Sequence, residues 1–366
     1  MDVDQSPAPC YRSSHAERRA RGTMTDNSVI QLTRHQKKLI DASSEIRSVP
    51  PEHIDFLHTI QCQIGLPYRN PGDHIREWDR KQGNATMRIE AGSAMNPKGN
   101  FVHLGLPYGE KPRLVLIHLA SEAVRTGNPV IDVDHTMTSF ARSLGLDTNG
   151  RQLKGLKDQL ARLASATIRM GVVEDGRAVQ VNTQIVAAFD MWFPKQPDQR
   201  VLWPSTVRLS EEYFQSLGKH AVPLDHRAVA ALSSSSMALD VYAWLAQRLH
   251  RIPAGKPQPI TWLALHEQFG QGFARLRDYR RNFLQTLHQV HAAYPQARID
   301  ADEVGMTLFQ SPPPVPPRYA RSLPNRKVDA PPVSRGHLVA PQTSSDPAAS
   351  KDEPGQPAAS ATAPSH

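Results

Sequence analysis

Apolar residues along this 366-residue chain recur mainly at helical spacing. In RQLKGLKDQLARLASA (151–166), Leu153, Leu156, Leu160 and Leu163 fall on one narrow stripe at 100° per residue. Arg151, Lys154, Asp158 and Arg162 project to the opposite side, and Lys157 flanks the stripe. In FARLRDYRRNFLQTLHQVHAAYP (273–295), Leu276, Phe283, Leu287 and Val290 share the face expected to be buried, with Tyr279 at its edge. Arg277, Arg281 and His288 then point outward, with Arg275 and Arg280 to the sides. Further helices are predicted from Thr33 to Ile46, over 111–127 with a stop at Gly127, and over 135–145 with Asp134 as cap. Two more are MALDVYAWLAQRLHRI (237–252), ending before Pro253, and ITWLALHEQFG (260–270).

Between these helices lie short extended pieces. VIDVD (130–134) is one. ATIRMGVV (166–173) alternates, EDGR (174–177) is a hairpin turn, and AVQVNTQIVAAFDMWF (178–193) returns as a longer strand. VRLSEEYFQSL (207–217) and HRAVAAL (226–232) open the second half, and ARIDADEVGMTLFQS (297–311) closes it with two short strands around a polar turn. Residues 50–100 are rich in turn signals with short apolar pieces between. A strand, helices and a closing hairpin thus follow each other twice. That order predicts an α+β chain of tandem winged-helix (winged helix-turn-helix) domains. The first covers 29–193, a linker 194–206, and the second 207–317, ending in the Pro-rich strip SPPPVPP. Residues 1–28 are expected to be a disordered extension, with Met24 an alternative start, and 318–366 a disordered tail too poor in aromatic and β-branched residues to pack.

The charge changes the picture. A formal net charge of +8 and a pI near 9.6 favour a polyanionic partner, nucleic acid before an acidic membrane surface. The two cysteines, Cys10 and Cys62, exclude a disulfide framework and a Cys-rich zinc site, which fits a reducing cytoplasm. The first twenty residues hold no apolar signal core, and no run of 18 apolar residues suggests a membrane span. No GxxxxGK[ST] loop is present, so no ATPase activity is expected. Asp132, Asp134 and His135 could hint at a metal-dependent nuclease, but without a further acid or lysine beside them a helix cap plus a surface acid reads better. No catalytic residue, metal or cofactor is expected.

Cations at the start of a helix oppose its macrodipole, by roughly 0.3–1 kcal/mol each when exposed. RLRDYRR (275–281) places four of them within seven residues, relieved in part by Asp278. Such a helix start suits a recognition helix, whose first residues enter the major groove where arginine can bridge guanine or grip phosphate. A merely solvated basic face is the alternative. Arg275, Arg277, Arg280 and Arg281, then Arg151, Lys154, Lys157 and Arg162, are the DNA-binding candidates. Arg169 and Arg177 could supply contacts from the first hairpin. The second hairpin, with Asp300, Asp302 and Glu303, is acidic at its turn and fits DNA poorly.

SMALDVYAWLAQRLHRI (236–252), ITWLALHEQFG (260–270), YRRNFLQTLHQVHAAYPQARI (279–299) and SPPPVPP (311–317) are together similar to the plasmid-encoded RepA family of replication initiators. LGLPYG (104–109) and RLVLIHLASEAVRTG (113–127) resemble it too, so the likeness covers roughly residues 50–317. The resemblance implies a cytoplasmic protein that binds repeated double-stranded DNA sites at its origin and recruits the host initiator and replicative helicase. It implies no catalytic residues, and it would have Arg275, Arg277, Arg280 and Arg281 begin one recognition helix and Arg151, Lys154 and Lys157 the other. A homodimer remains open, because Leu209, Phe214, Val241, Trp244 and Leu245 could be core or shared surface. A tandem winged-helix transcriptional repressor is the alternative function, and an interaction scaffold that binds no DNA a third.

Overall fold

Helix α1 (Arg34–Ser48) starts at a complete capping box, in which Thr33 and Gln36 satisfy each other's backbone N–H groups. It opens the computed structural model, which describes residues 32–95, 98–132, 136–174, 177–183, 185–189 and 206–320. Strand β1 (Ile54–His58) and the short α2 (Thr59–Gln63) follow. Then come β2 (Glu77–Gln82), β3 (Ala85–Glu90), and a separate hairpin of β4 (Ser93–Met95) and β5 (Phe101–His103). Helix α3 (Glu110–Thr126) ends on Gly127, whose φ of 66° is the left-handed conformation glycine takes most readily. Next are β6 (Val130–Asp132), α4 (Met137–Ser143), α5 (Gly150–Ser165), β7 (Thr167–Glu174), β8 (Arg177–Thr183) and β9 (Val186–Phe189). The α4 cap is Thr136, whose hydroxyl accepts from the Ser139 N–H; this corrects the expectation that Asp134 would cap it.

The second half runs β10 (Thr206–Leu209), α6 (Glu211–His220), β11 (Ala221–Asp225), α7 (His226–Leu232) and α8 (Ser236–Arg248). It continues with β12 (Gln258–Thr261), α9 (Trp262–Phe269), α10 (Leu276–Ala293), β13 (Ile299–Ala301) and β14 (Gly305–Leu308). Antiparallel pairing orders the last three strands β12-β14-β13. Helix, strand, two helices and a hairpin, with the first strand paired to the last, is a winged-helix-like connectivity.

The first half repeats the order as α3, β6, α4, α5, β7, β8, but its strands pair differently. Strands β7 and β8 extend a four-stranded sheet, β2-β3-β7-β8, and β6 pairs with β10 in the sheet β6-β10-β9. Residues 50–100, rich in turn signals with short apolar pieces between, therefore supply half of a sheet. The architecture is a mixed α+β fold with small antiparallel sheets, consistent with a winged-helix-like design.

Elements from both halves are interleaved. Strand β1 pairs with β11 from Ile54↔Asp225 to His58↔Ala221, and a single hydrophobic cluster runs from Leu57 to Leu308. Leu209, Phe214, Val241, Trp244 and Leu245 all lie in that core. The Pro-rich strip packs back on the second half: Ser311 and Val315 are buried, and the Tyr294 hydroxyl donates to the Pro312 carbonyl at 2.6 Å. The expectations for residues 1–28 and for 321–366 of the tail lie outside the described residues, whereas 318–320, expected to be disordered, belong to a short helix over Pro317–Ala320.

Candidate nucleic-acid interface

Helix α10 is held by an aromatic spine. Tyr279, Phe283, Thr286, Val290 and Ala293, spaced by alternate steps of four and three, are its buried residues. The Tyr279 hydroxyl donates to the Leu265 carbonyl of α9 at 2.7 Å, and its ring meets Phe283 at 5.4 Å. The Phe269 ring of α9 meets Phe283 at 5.8 Å, so α9 is fixed against α10 by both apolar and polar contacts. Tyr279 is fully buried on this face rather than at its edge, and Leu276, expected on it, is 42% exposed.

With the spine turned inward, the arginines sort into two kinds. Arg275, at the N-cap, Arg277 and Arg281 are exposed. Arg281 makes a long 3.5 Å contact with Asp278, and its side chain stays 75% exposed. Arg280 is half-buried and braces the site. Its guanidinium lies 5.2 Å from the Trp262 ring and donates to the Asp302 carbonyl at 2.9 Å. The Trp262 indole N–H donates to the same carbonyl at 3.0 Å, so α9, α10 and the β13–β14 turn converge on one oxygen.

The turn itself is closed by Asp302, whose carboxylate accepts from the Val304 and Gly305 N–H groups at 2.8 Å each. Those two bonds, from Gly305 first, and the Arg280 charge hold its pKa below the ordinary carboxylate value. The hairpin is thus a self-capped acidic turn, with Val304 72% exposed at its tip.

Helix α5 begins at Asn149, whose side chain caps the Gln152 N–H. Leu156, Leu160 and Leu163 are buried as the periodicity requires, and Leu153 packs partly buried against the same core. Arg151, Lys154 and Lys157 are exposed along the first two turns. Gly155 lies against α3: a Cβ there would sit 3.3 Å from Lys111 Cε. Arg162 differs from its expected position. It is 9% exposed and donates to Asp158 and Asp73 at 3.0 Å each. Burial lowers its pKa, but the hydrogen bond to Asp73 and the paired charges outweigh that and leave it raised. Its donors are therefore committed within the chain, and Asp73, some ninety positions earlier, carries no periodic signal that could reveal the pair.

On the four-stranded sheet, Arg169 stands opposite Arg88 and pairs with Glu90. Arg88 in turn holds Asp79 through both ends of its guanidinium. Arg177 lies at the start of β8, opposite Glu174, and its side chain is outside what the structure describes. Among the described residues no group of His, Cys, Asp and Glu is placed to hold a metal ion. Nor is any described helix long and apolar enough to cross a membrane.

Residues 106–263, from the loop before α3 to the start of α9, match the family described as plasmid encoded RepA protein. Helix α10 lies beyond the matched residues. Two solved structures are similar at 10% identity. One is of RctB domains 2–3, with a TM-score of 0.43 over 68% of this chain and 94% of that one. The other is of selenomethionine derivatives of RctB domains 2 and 3, with a TM-score of 0.42 over 63% and 83%. No curated protein matches.

Proposed function

We propose that this chain is a DNA-binding plasmid replication initiator of the RepA kind. Its two winged-helix units, 29–193 and 207–317 joined through 194–206, would read repeated double-stranded sites at an origin. The observation that carries this reading is the start of α10, where Arg275, Arg277 and Arg281 stand exposed while the aromatic spine faces the core. The family match over residues 106–263 favours initiation over repression as the use of that surface. Helix α10 would enter the major groove by its first turn, with Arg277 and Arg281 on bases or phosphates. Arg280 would keep the hairpin and α9 in register with it. Arg151, Lys154 and Lys157 would meet a neighbouring stretch of duplex from the first unit, and Arg162 would hold the loop at Asp73 in place. Arg169 and Arg177 would be secondary contacts at most. The host initiator and replicative helicase are the partners such a role requires, and no membrane takes part.

The test is binding to duplexes from the DNA beside the gene, compared with scrambled duplexes, for the native chain and for Arg277→Ala with Arg281→Ala. Each bidentate base contact is worth about 1–3 kcal/mol of discrimination, so a loss of roughly tenfold or more in specific affinity is expected per arginine that reads a base. Both residues are exposed, so the melting temperature should hold. Undiminished affinity for the preferred duplex would return RLRDYRR to solvated surface. Whether the gene and its flanking DNA sustain a plasmid lacking any other initiator separates initiation from repression.

A further inference from the structure

Helix α1 has no fully buried residue. His35, Leu39, Ala42, Ser43 and Ile46 are its half-buried side, and it packs on α7 and α10 of the second half. Its first turn also reaches the first half. The Arg34 guanidinium lies 3.0 Å from the Asp147 carboxylate, two residues before the Asn149 cap of α5. Lys38 Nζ would stand 3.8 Å from a Cβ placed on Gly145, in the same turn between α4 and α5. Helix α1 therefore touches α10 and, at its beginning, the approach to α5.

The charge at this corner is one-sided. Arg34, Lys37 and Lys38 of α1, Arg142 of α4, and Arg151 and Lys154 of α5 are all exposed. Of the acids close by, Asp147 is shared with Arg34, Asp41 lies one turn along α1, and Asp158, one turn beyond Lys154, is engaged by Arg162. The first turn of α1 contains no acid, so its cations oppose the macrodipole as those of α10 do. The capping box already engages the Thr33 and Gln36 N–H groups. What the corner offers a ligand is thus a set of side-chain cations rather than free helix amides.

We propose that the first turn of α1 is a third DNA-contact element, its Arg34 and Lys37 gripping phosphates beside the start of α5. It extends the basic surface of α5 onto a helix that packs on α10. The proposal rests on the reading of α5 and α10 as DNA-facing. A duplex fits better than an acidic protein because the cations come from three helices at one corner, while the exposed apolar side chains nearby, Leu32 and Ile40, stand singly and form no patch. Phosphate contacts of this kind add affinity without adding sequence information.

The experiment measures the slope of log K against log salt for the full chain, on a duplex from beside its gene and on a scrambled duplex. Each phosphate that a variant no longer neutralises reduces that slope by about 0.9. Arg34→Ala with Lys37→Ala should therefore flatten it by about 2 on both duplexes, leaving the ratio of the two affinities unchanged. Asp147→Asn frees Arg34 from its carboxylate and should tighten binding to both, a gain that misfolding cannot produce. Unchanged slopes in the double variant, together with unchanged affinity in Asp147→Asn, would overturn the proposal, and so would a fall in the affinity ratio, because phosphate contacts do not discriminate sequence. If the native chain shows no preference between the duplexes, the reading of α10 fails instead, and the α1 slopes still stand or fall by themselves.

Discussion

His58 ends β1 and caps α2 in the same step. Its Nδ1 accepts from the Ile60 N–H at 3.2 Å, so the proton sits on Nε2, which is 3.0 Å from the Ser216 hydroxyl oxygen. The ring is 1% exposed; burial first, and then the neighbouring His220, push its pKa down to about 4. An unfolded histidine titrates near 6.5. Above that pH both states are neutral and the group is silent. Between 6.5 and about 4 the unfolded chain takes up a proton that the native chain refuses, so stability falls with pH, by about 3 kcal/mol in all. His226 works in the opposite direction. Its hydrogen bond to Asp55 raises its pKa, so its contribution is complete below 6.5 and fades as pH rises through the folded value. His58→Asn keeps an acceptor for Ile60 but cannot titrate. Denaturant unfolding from pH 7 to 4 should show a native chain whose stability declines more steeply than that of the variant; equal slopes would contradict the buried-neutral assignment.

Gly65 carries a second constraint at this scale. A Cβ there would fall 1.9 Å from Asp240 Oδ2, inside the bidentate pair that Asp240 makes with Arg113 at 2.7 Å on each side. Arg113 also donates to the Leu66 and Gly109 carbonyls, at 2.5 and 2.6 Å. Burial lowers its pKa, yet Asp240 more than compensates, and the charge is kept. A buried pair such as this need not stabilise the fold relative to apolar residues, but breaking one leaves an uncompensated charge. Gly65→Ala, which crowds the carboxylate, should destabilise by no more than the roughly 3–5 kcal/mol that loss of one partner costs. Its unfolding midpoint is the measurement, and a midpoint within error of the native chain would mean the loop yields without disturbing the pair.

At the scale of elements, the sequence was a good guide wherever one helix buries one stripe. Leu156, Leu160 and Leu163 of α5, and Phe283 and Val290 of α10, sit where the periodicity puts them. It misled at the beginning of α10. The helix starts only at Leu276, one turn before the aromatic spine engages α9, so a leucine in phase with the stripe is left 42% exposed. The strands of residues 50–100 were harder to see. In β2, the positions turned inward are Trp78, Arg80 and Gln82, so the alternation of burial is not an alternation of hydrophobicity. Arg80 is held there by stacking over Trp78 at 4.4 Å. In β3, Ala85, Met87 and Ile89 do alternate, but six residues between glycine turns gave too short a run to stand out. The basic side chains at the candidate interface were legible one helix at a time. Their sorting into exposed and braced arginines was not, because Asp73, Trp262 and the Asp302 carbonyl are brought in by tertiary contacts from distant positions.

At the scale of the whole molecule, the order of elements suggests two units in series, whereas the contacts tie the halves of the chain together. Strand β1 completes its sheet only with β11. Helix α1, from the first half, packs on α7 and α10 of the second, and Arg113 of α3 clasps Asp240 of α8. Contacts within one chain usually allow units to move when they are small and polar. Here they include strand pairing, a buried ion pair and a shared apolar core. A specific protease site introduced near Asp198, outside the described residues, should therefore leave two pieces that remain associated after cleavage. They should co-elute in size-exclusion chromatography under native conditions and separate in denaturant. Adding Asp240→Ala, which strips Arg113 of its partner, should make them separate at a lower denaturant concentration. Fragments that part spontaneously at micromolar concentration would refute the shared-core argument. Fragments that stay together and still bind DNA would show that the spacing between α5 and α10 is set by packing across the halves rather than by the length of the chain that joins them.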